Sequence, residues 1–286
     1  MNRYQEQMAE YGYVPANHTA PAWFPVALED MGTMNGEKVP GFKAVIRQDT
    51  RQVIHVATDS YTLVPNEQVF AAFDKALAES KLQIDNMMVC RDMSHEGRRA
   101  FIQYLLPDVT EAINGADIAL RFTCFNSYDG SRPVGFTSGH YSFACANTAL
   151  NGNKLASFSL RHVGEIDIAE IVENLVAAAE QHHAKLIAMR NWPKIPISDT
   201  QAIEIFEQLP GSTKRLQGEL LPAWLKAKDD NGPNDGANLW SAYNVLTYWS
   251  SHGDGYKEAT KAYARNNREE RIAELIEGEH WQTIAN

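Results

Sequence analysis

The sequence predicts an α+β fold, with an antiparallel, β-rich N-terminal half that contains a central hairpin and a helical C-terminal half. Alternating apolar and polar residues, typical of half-buried strands, recur between residues 41 and 165. From Asp167 onward the apolar residues instead recur at helical spacing. Because strands precede helices rather than alternate with them, the order indicates an α+β protein and not a doubly wound parallel sheet.

We expect three regions along the 286 residues. Residues 1–40 carry scattered prolines and aromatics, which predict an irregular N-terminal arm that packs on the body or on a neighbouring subunit; a flexible terminus is the alternative. Residues 41–165 are predicted to form a β-rich core domain. Residues 166–286 are predicted to form a helical region that packs on that core, and a hydrophobic content of 44% suffices to bury it.

The β-rich region opens with a predicted hairpin, because "FKAVIR" and "QVIHVAT" flank the turn "QDTR". The run that begins at Asn66 has apolar residues at helical spacing, and Asn66 is the predicted N-cap. Two further strands are predicted at "LQIDNMMVC" and "RRAFIQYLLP", joined by a polar turn around "SHEG".

The central hairpin is predicted from "DIALRFTCF" and "PVGFTSGHYSFACA", which flank the stretch "NSYDGSRP". In the first strand Ile118, Leu120, Phe122 and Cys124 share one face, with Arg121 and Thr123 on the other. A two-residue turn at Asp129-Gly130 predicts that Phe125 pairs with Val134 and that Gly135 and Gly139 face Cys124 and Leu120. "KLASFSLRHV" predicts another strand.

The helical half begins with a long amphipathic stretch from Asp167 to Arg190. It ends before Pro193 and Pro196, which cannot continue a helix. Shorter helices are predicted at "DTQAIEIFEQL", "STKRLQGELLPAWLKAK", "ANLWSAYNVLTYWSSH" and "NNREERIAELIEG".

Composition excludes several classes of protein. The net charge of −10 excludes a uniformly basic nucleic-acid surface but leaves room for a local basic patch. The three cysteines lack zinc-ligand spacing, and their odd number without a signal peptide predicts a reducing cytoplasm. No run of about 18 apolar residues predicts a membrane span.

No motif in the sequence predicts catalysis, a metal or a cofactor, since P-loop, GxGxxG, GxSxG and HExxH patterns are absent. A nucleophilic Cys145 is one alternative, although its apolar neighbours favour a buried structural thiol. A hydrolase site assembled from Asp129, His140 and His162 is a second. The sequence favours a protein that is not an enzyme.

A local basic segment is the strongest indication of a binding site. Residues 121–163 carry a net charge of +3, whereas the rest of the chain carries −13. Arginines pair with phosphates and aromatic rings stack on bases, so this pattern predicts a groove for single-stranded nucleic acid; a solvated sheet face is the alternative. The candidate binding residues are Arg121, Asn126, Tyr128, Arg132, Lys154, Arg161 and His162.

Several stretches also resemble a known family. "NSYDGS", "FACANTAL", "LRHVGEI" and "LWSAYNVLTYWSSH", preceded by "KAVIRQDTRQVIHVATDSYTLVPNEQVFAAFD", are similar in content and order to the phage/plasmid-like proteins called domain of unknown function 932. The resemblance spans about Lys43 to His252. It implies an intracellular protein of a mobile element, in DNA metabolism or host interaction, and it implies no reaction and no catalytic residues.

Two hypotheses for the function follow. The first is a phage or mobile-element protein that binds single-stranded nucleic acid in recombination, annealing or replication. Such a protein needs no metal or nucleophile, and a homo-oligomeric ring or filament would repeat the modest charge of one subunit. The alternative is a protein-binding factor that inhibits or modulates a host enzyme or defence system, for which an acidic surface is suited.

Overall fold

The computed structural model describes residues 3–17, 23–143, 147–150, 157–232, 235–253 and 261–286, and it confirms the α+β fold. The strands are β1 (Val14–Pro15), β2 (Val26–Gly32), β3 (Lys38–Arg47), β4 (Val53–Thr58), β5 (Met88–Ser94), β6 (Arg99–Ile113), β7 (Ala116–Ser127), β8 (Val134–Ser142), β9 (Thr148–Leu150) and β10 (Ser157–Leu160). The helices are α1 (Arg3–Glu10), α2 (Asn66–Glu79), α3 (Ile168–Met189), α4 (Asp199–Gln208), α5 (Lys214–Ala227), α6 (Leu239–His252), α7 (Lys261–Glu277) and α8 (Glu279–Ala285).

Two antiparallel sheets organise the strands. The large sheet has the order β1-β5-β6-β7-β8-β10, and β9 pairs with the distal part of β8. The small sheet has the order β2-β3-β4, which confirms the predicted first hairpin. Its inner face packs Val45, Ile54 and Ala57 against Tyr128, and so attaches the small sheet to the end of the large one.

The expectation of an irregular arm over residues 1–40 is corrected by the structure. The described part of this region contains α1, β1 and β2, and β3 begins at Lys38. Its two strands pair with partners later in the chain, β1 with β5 and β2 with β3. The arm therefore contributes to both sheets, which local composition could not reveal because most of the pairing partners lie outside it.

The register of the central hairpin differs by one residue from the prediction. Phe125 pairs with Gly135, and Arg121 pairs with Gly139. The connection is longer than a two-residue turn, since β7 ends at Ser127 and β8 begins at Val134. A shift of one residue exchanges the faces of the sheet. Gly135 and Gly139 therefore lie beside Phe125 and Arg121 rather than beside Cys124 and Leu120.

The helical predictions hold in position, with one correction at a cap. Asp167, the first residue of the predicted helical stretch, is the N-cap of α3 and accepts a hydrogen bond from the backbone N–H of Ala169. Pro65, not Asn66, is the N-cap of α2, and Asn66 is its first helical residue. The side chain of Asn66 is used instead in a hydrogen bond with Asn126.

The two faces of the large sheet differ in chemistry. The first face, which we call the apolar face, bears Ile102, Leu120, Phe122 and Phe136 and packs against α2 and α3. At its far end this side joins the helical core, which includes Trp192, Trp224, Trp240 and Trp281. The second face, which we call the polar face, bears Gln103, Arg121, Thr123 and Thr137 beside buried apolar residues such as Leu105. Helix α7 contacts both β5 and β9 over this face.

Candidate nucleic-acid interface

The β5–β6 and β7–β8 connections lie at the same end of the large sheet. The first residue of β6, Arg99, pairs with the last residue of β7, Ser127. In the loop that follows, the Asp129 carboxylate accepts hydrogen bonds from the backbone N–H and the hydroxyl of Ser131. Gly130 has a φ of +67°, the left-handed conformation that this tight loop requires and that glycine adopts without strain. The stretch "NSYDGSRP" is therefore a loop that holds Arg132 near Arg99 at this end of the sheet.

Four side chains at this edge form what we call the rim cluster: His95, Arg99, Arg132 and Tyr263. The guanidinium carbons of Arg99 and Arg132 lie 4.3 Å and 5.1 Å from the centroid of the Tyr263 ring. The His95 ring packs edge-on against the same ring, with 5.4 Å between the two centroids. Arg99 also contacts His95 Nε2 at 3.0 Å, and burial followed by the Arg99 charge lowers the pKa of His95. The cluster thus combines two cations with one partly exposed aromatic ring.

Acidic side chains neutralise both arginines of the rim cluster. Arg99 Nε donates to Asp129 Oδ2 at 3.0 Å. Arg132 Nη1 donates to Glu270 Oε1 at 2.5 Å, and Arg132 also bonds Asn267 of the same helix. The Arg132 side chain is 11% exposed and that of Glu270 is 40% exposed. The positive segment seen in the sequence is therefore compensated in space by carboxylates, one of them from α7.

The same compensation occurs deeper on the polar face. Arg121 has no exposed surface, and its Nη2 donates to Glu269 Oε2 at 2.5 Å. Burial alone would lower the pKa of the Arg121 guanidinium, but Glu269 and Tyr13 offset this and raise it. Tyr13 donates its hydroxyl to Gln103 Oε1 at 2.5 Å, and burial raises the pKa of Tyr13 to about 12. A charged network thus joins the N-terminal region, the sheet and α7.

Two other predicted binding residues have internal partners. Asn126 has no exposed surface, and its amide donates to the carbonyl of Val64 and to Asn66 Oδ1, both at 2.8 Å. Tyr128 is buried, accepts a hydrogen bond from the backbone N–H of Asn66 at 2.9 Å, and packs on the small sheet. In this conformation neither side chain can reach a ligand, and both fix the start of α2 against the large sheet.

The remaining predicted residues lie in three settings. Arg161 is exposed and forms no ion pair with any described residue. His162 is buried, stacks on Tyr61 with centroids 5.1 Å apart, and donates from Nδ1 to the carbonyl of Thr62. Burial lowers the pKa of His162. Lys154 lies outside the described residues.

The structure does not assemble the alternative hydrolase site. His140 lies six residues along β8 from Val134, about 20 Å at ~3.3 Å per residue, whereas Asp129 is in the loop before that strand. His140 Nε2 is 2.5 Å from the Tyr243 hydroxyl. Cys145 lies outside the described residues. Among the side chains that are described, no three histidines, cysteines or acids could jointly hold a metal ion.

Sequence reasoning missed the residues that complete this interface. Arg99 lies outside the basic segment, and Tyr263, Glu269 and Glu270 belong to a helix predicted only as a structural element. The one signal available was α7 itself, because its first half is rich in charged and amide residues, as in "KAYARNNREE". A helix of that composition has little apolar surface with which to pack.

These features define a class of protein: two antiparallel sheets and a helical half, with a charged helix over the polar face of the large sheet. The chain belongs to the family described as Domain of unknown function (DUF932), which matches residues 53–273, more than three quarters of its length. No curated protein matches the chain, and no solved structure does. Within the described ranges, no helix is both long and apolar enough to cross a bilayer.

Proposed function

We propose that this protein binds single-stranded nucleic acid through the rim cluster, in the recombination, annealing or replication of DNA from a phage or other mobile element inside the host cell. The observation that carries the proposal is the contact of Arg99 and Arg132 with one ring, Tyr263. Guanidinium groups bind phosphates with two parallel hydrogen bonds, and an aromatic ring stacks on a base. The cluster supplies both kinds of group, with the two guanidinium carbons 4.3 Å and 5.1 Å from the ring centroid.

The acidic composition of the chain is compatible with this proposal. With a net charge of −10, attraction to a polyanion must be local and must weaken steeply as salt is added. Exposed Arg161 adds a cation to the same half of the chain. A homo-oligomer would repeat these few cations along one strand, so we propose self-association as part of the function.

The test is fluorescence anisotropy of a labelled oligothymidine at several salt concentrations. We expect binding at low salt, and we expect Arg99→Gln with Arg132→Gln to reduce the slope of log Kd against log salt by about one per arginine. Arg215→Gln is the matched control, since Arg215 is exposed on α5 and pairs with Glu219. Equal slopes for the rim variant and the control, or no binding at low salt, would contradict the proposal.

A second candidate function rests on the outer face of the small sheet. Phe42, Val53 and Val56 share that face and are 45%, 52% and 45% exposed. Contiguous exposed apolar residues on a sheet mark protein–protein contacts. We therefore propose, as the alternative, a protein-binding factor that docks a host or phage protein on this face.

This candidate is tested with Phe42→Asp and Val56→Asp in one variant. Light scattering of the wild type and the variant reports self-association, and a pull-down reports other proteins. Loss of a stoichiometric partner in the variant would support the candidate. A partner retained by the variant, or a wild-type chain that is monomeric and captures nothing, would remove it.

A further inference from the structure

We propose that the first half of α7, residues 261–270, is a displaceable cover, and that the polar face beneath it is the main binding site for single-stranded nucleic acid. This inference rests on the proposed function and extends it from the rim cluster to the sheet. The site has two states: a closed state, seen here, in which carboxylates of α7 occupy the arginines, and an open state in which phosphates replace them.

The covered surface has the chemistry of a nucleic-acid platform. Phe101 and Phe125 are cross-strand neighbours at the rim end, and the Tyr263 ring packs on them. Arg121 lies four residues along β7 from Phe125 on the same face, and the Gln103–Thr123 pair lies between them. Antiparallel sheets that bind single strands present aromatic rings to bases and arginines to phosphates. Displacing Tyr263 would expose both phenylalanines for stacking.

The contacts of the cover are those that a phosphate can replace. Glu269 binds Arg121, and Glu270 binds Arg132, each at 2.5 Å. A phosphate oxygen accepts the same guanidinium hydrogen bonds. The exchange therefore never leaves a buried arginine without an anion, which would be strongly unfavourable.

The cover satisfies the polar face incompletely. Thr123 Oγ1 and Thr137 Oγ1 are buried and have no hydrogen-bond partner among the described residues, and the same is true of Asn266 Oδ1 on the cover. Buried polar groups in folded proteins are nearly always hydrogen-bonded. Neighbouring hydroxyls on β7 and β8 with unused capacity are groups that a phosphate or sugar in the open state can engage.

The two halves of α7 are held in different ways. In residues 261–270 the described side chains that are fully buried are Asn266 and Glu269, both polar. Arg268, in the same half, donates to the carbonyl of Trp249 at the end of α6. In the second half Ile272, Ala273 and Leu275 are buried, and Ile272 and Leu275 belong to the helical core. Segments with few buried apolar contacts open at lower free energy, so the first half can separate while the second remains anchored.

Hydrogen exchange of the full chain, with and without oligothymidine, tests the cover. We expect that saturating oligothymidine speeds exchange in residues 261–270, slows it in β6 and β7, and leaves residues 271–277 unchanged. Saturable binding with residues 261–270 equally or more protected would overturn the cover and leave the proposed function standing. No binding by the wild type or by the variants below would overturn both.

A pair of charge variants on α7 supplies the second measurement. Glu270→Gln removes a competing carboxylate, whereas Glu274→Gln makes the same charge change at an exposed position four residues on. We expect Glu270→Gln to bind oligothymidine about fivefold more tightly than Glu274→Gln, the ratio that a partly exposed ion pair is worth. Glu270→Gln should also speed exchange in residues 261–270 without ligand. Equal affinities and equal exchange in the two variants would overturn the cover.

Discussion

The two faces of the large sheet differ in how they bury their residues. On the apolar face, Leu120, Phe122 and Phe136 pack against helices whose own buried residues, such as Phe73 and Leu175, are apolar. On the polar face, Arg121 pairs with Glu269 and neighbouring hydroxyls are left without partners among the described residues. Both faces exclude solvent, but only the polar face retains groups whose partners a ligand could replace.

The difference indicates separate roles for the faces. Apolar burial stabilises without direction, and replacing it with any ligand would expose apolar surface to water. A buried ion pair adds little net stability, because the desolvation of both charges opposes their attraction. The polar face also buries apolar residues such as Leu105 and Ala119, and the ion pair and the hydroxyls without described partners among them are what distinguish it from the apolar face. We therefore propose that the apolar face serves mainly stability and that the polar face is the one available for binding.

The largest effect on stability is expected from removing one partner of the buried Arg121–Glu269 ion pair. Arg121→Met leaves Glu269 buried without its cation and should lower the free energy of unfolding by about 3–5 kcal/mol. Adding Glu269→Leu should restore stability to near that of the wild type, because the uncompensated charge is gone. Chemical denaturation of the single and double variants measures both values. A double variant as unstable as Arg121→Met would show that the polar face is required for folding.

On the apolar face we expect a comparable loss of stability from one substitution, and removing a partner residue should not restore it. Leu175 of α3 is fully buried against that face, and Leu175→Ala should lower the free energy of unfolding by about 2–5 kcal/mol through lost burial and the cavity left behind. Denaturation midpoints measure it. Oligothymidine affinity of the folded fraction should equal that of the wild type. A lower oligothymidine affinity in a variant that is fully folded would show that the apolar face also contributes to binding.

The smallest effect is a dependence of stability on pH at the rim end of the sheet. Burial lowers the pKa of His162 below the ordinary histidine value of 6.5, so the unfolded chain binds its proton first as the pH falls. Its contribution to stability is therefore present above about pH 6.5 and is lost as the pH falls below it, at most about 1.4 kcal/mol per pH unit for one proton. Asp129, the nearby charged group, acts against this shift and only reduces it.

The measurement is the free energy of unfolding between pH 7.5 and pH 5 for the wild type and His162→Phe. The variant keeps an aromatic ring against Tyr61 and removes the titrating group. We expect a shallower loss of stability in the variant. Identical slopes in the two proteins would assign the pH dependence to other groups.

Local patterns in the sequence predicted the elements, and long-range pairing was beyond them. The periodicity of "DIALRFTCF" predicted that Arg121 and Leu120 face opposite sides of β7, which the register confirms. It could not predict that Arg121 would be covered, because Glu269 lies 148 residues away. The predicted register of the central hairpin was wrong by one residue, because "NSYDGSRP" favours a two-residue turn and the actual loop is longer.

The candidate site was predicted in part. Arg132 was identified at the hairpin end, and the structure adds Arg99 and Tyr263 beside it. Asn126 and Tyr128 were identified by residue type alone, and the structure shows internal hydrogen bonds for both. The composition of a segment shows which chemical groups it carries. The burial and the hydrogen-bond partners of those groups depend on the distant segments that cover them.

The most direct test is photo-crosslinking of a 4-thiothymidine oligonucleotide to the wild-type chain, followed by mapping of the modified peptides. The account predicts cross-links to the peptides that contain Phe101, Phe125 and Tyr263. The Glu274→Gln control should give the same cross-links, and their yield should fall only if its affinity for the oligonucleotide is lower. Cross-links confined to the outer face of the small sheet, or none at salt concentrations as low as the protein tolerates, would contradict it.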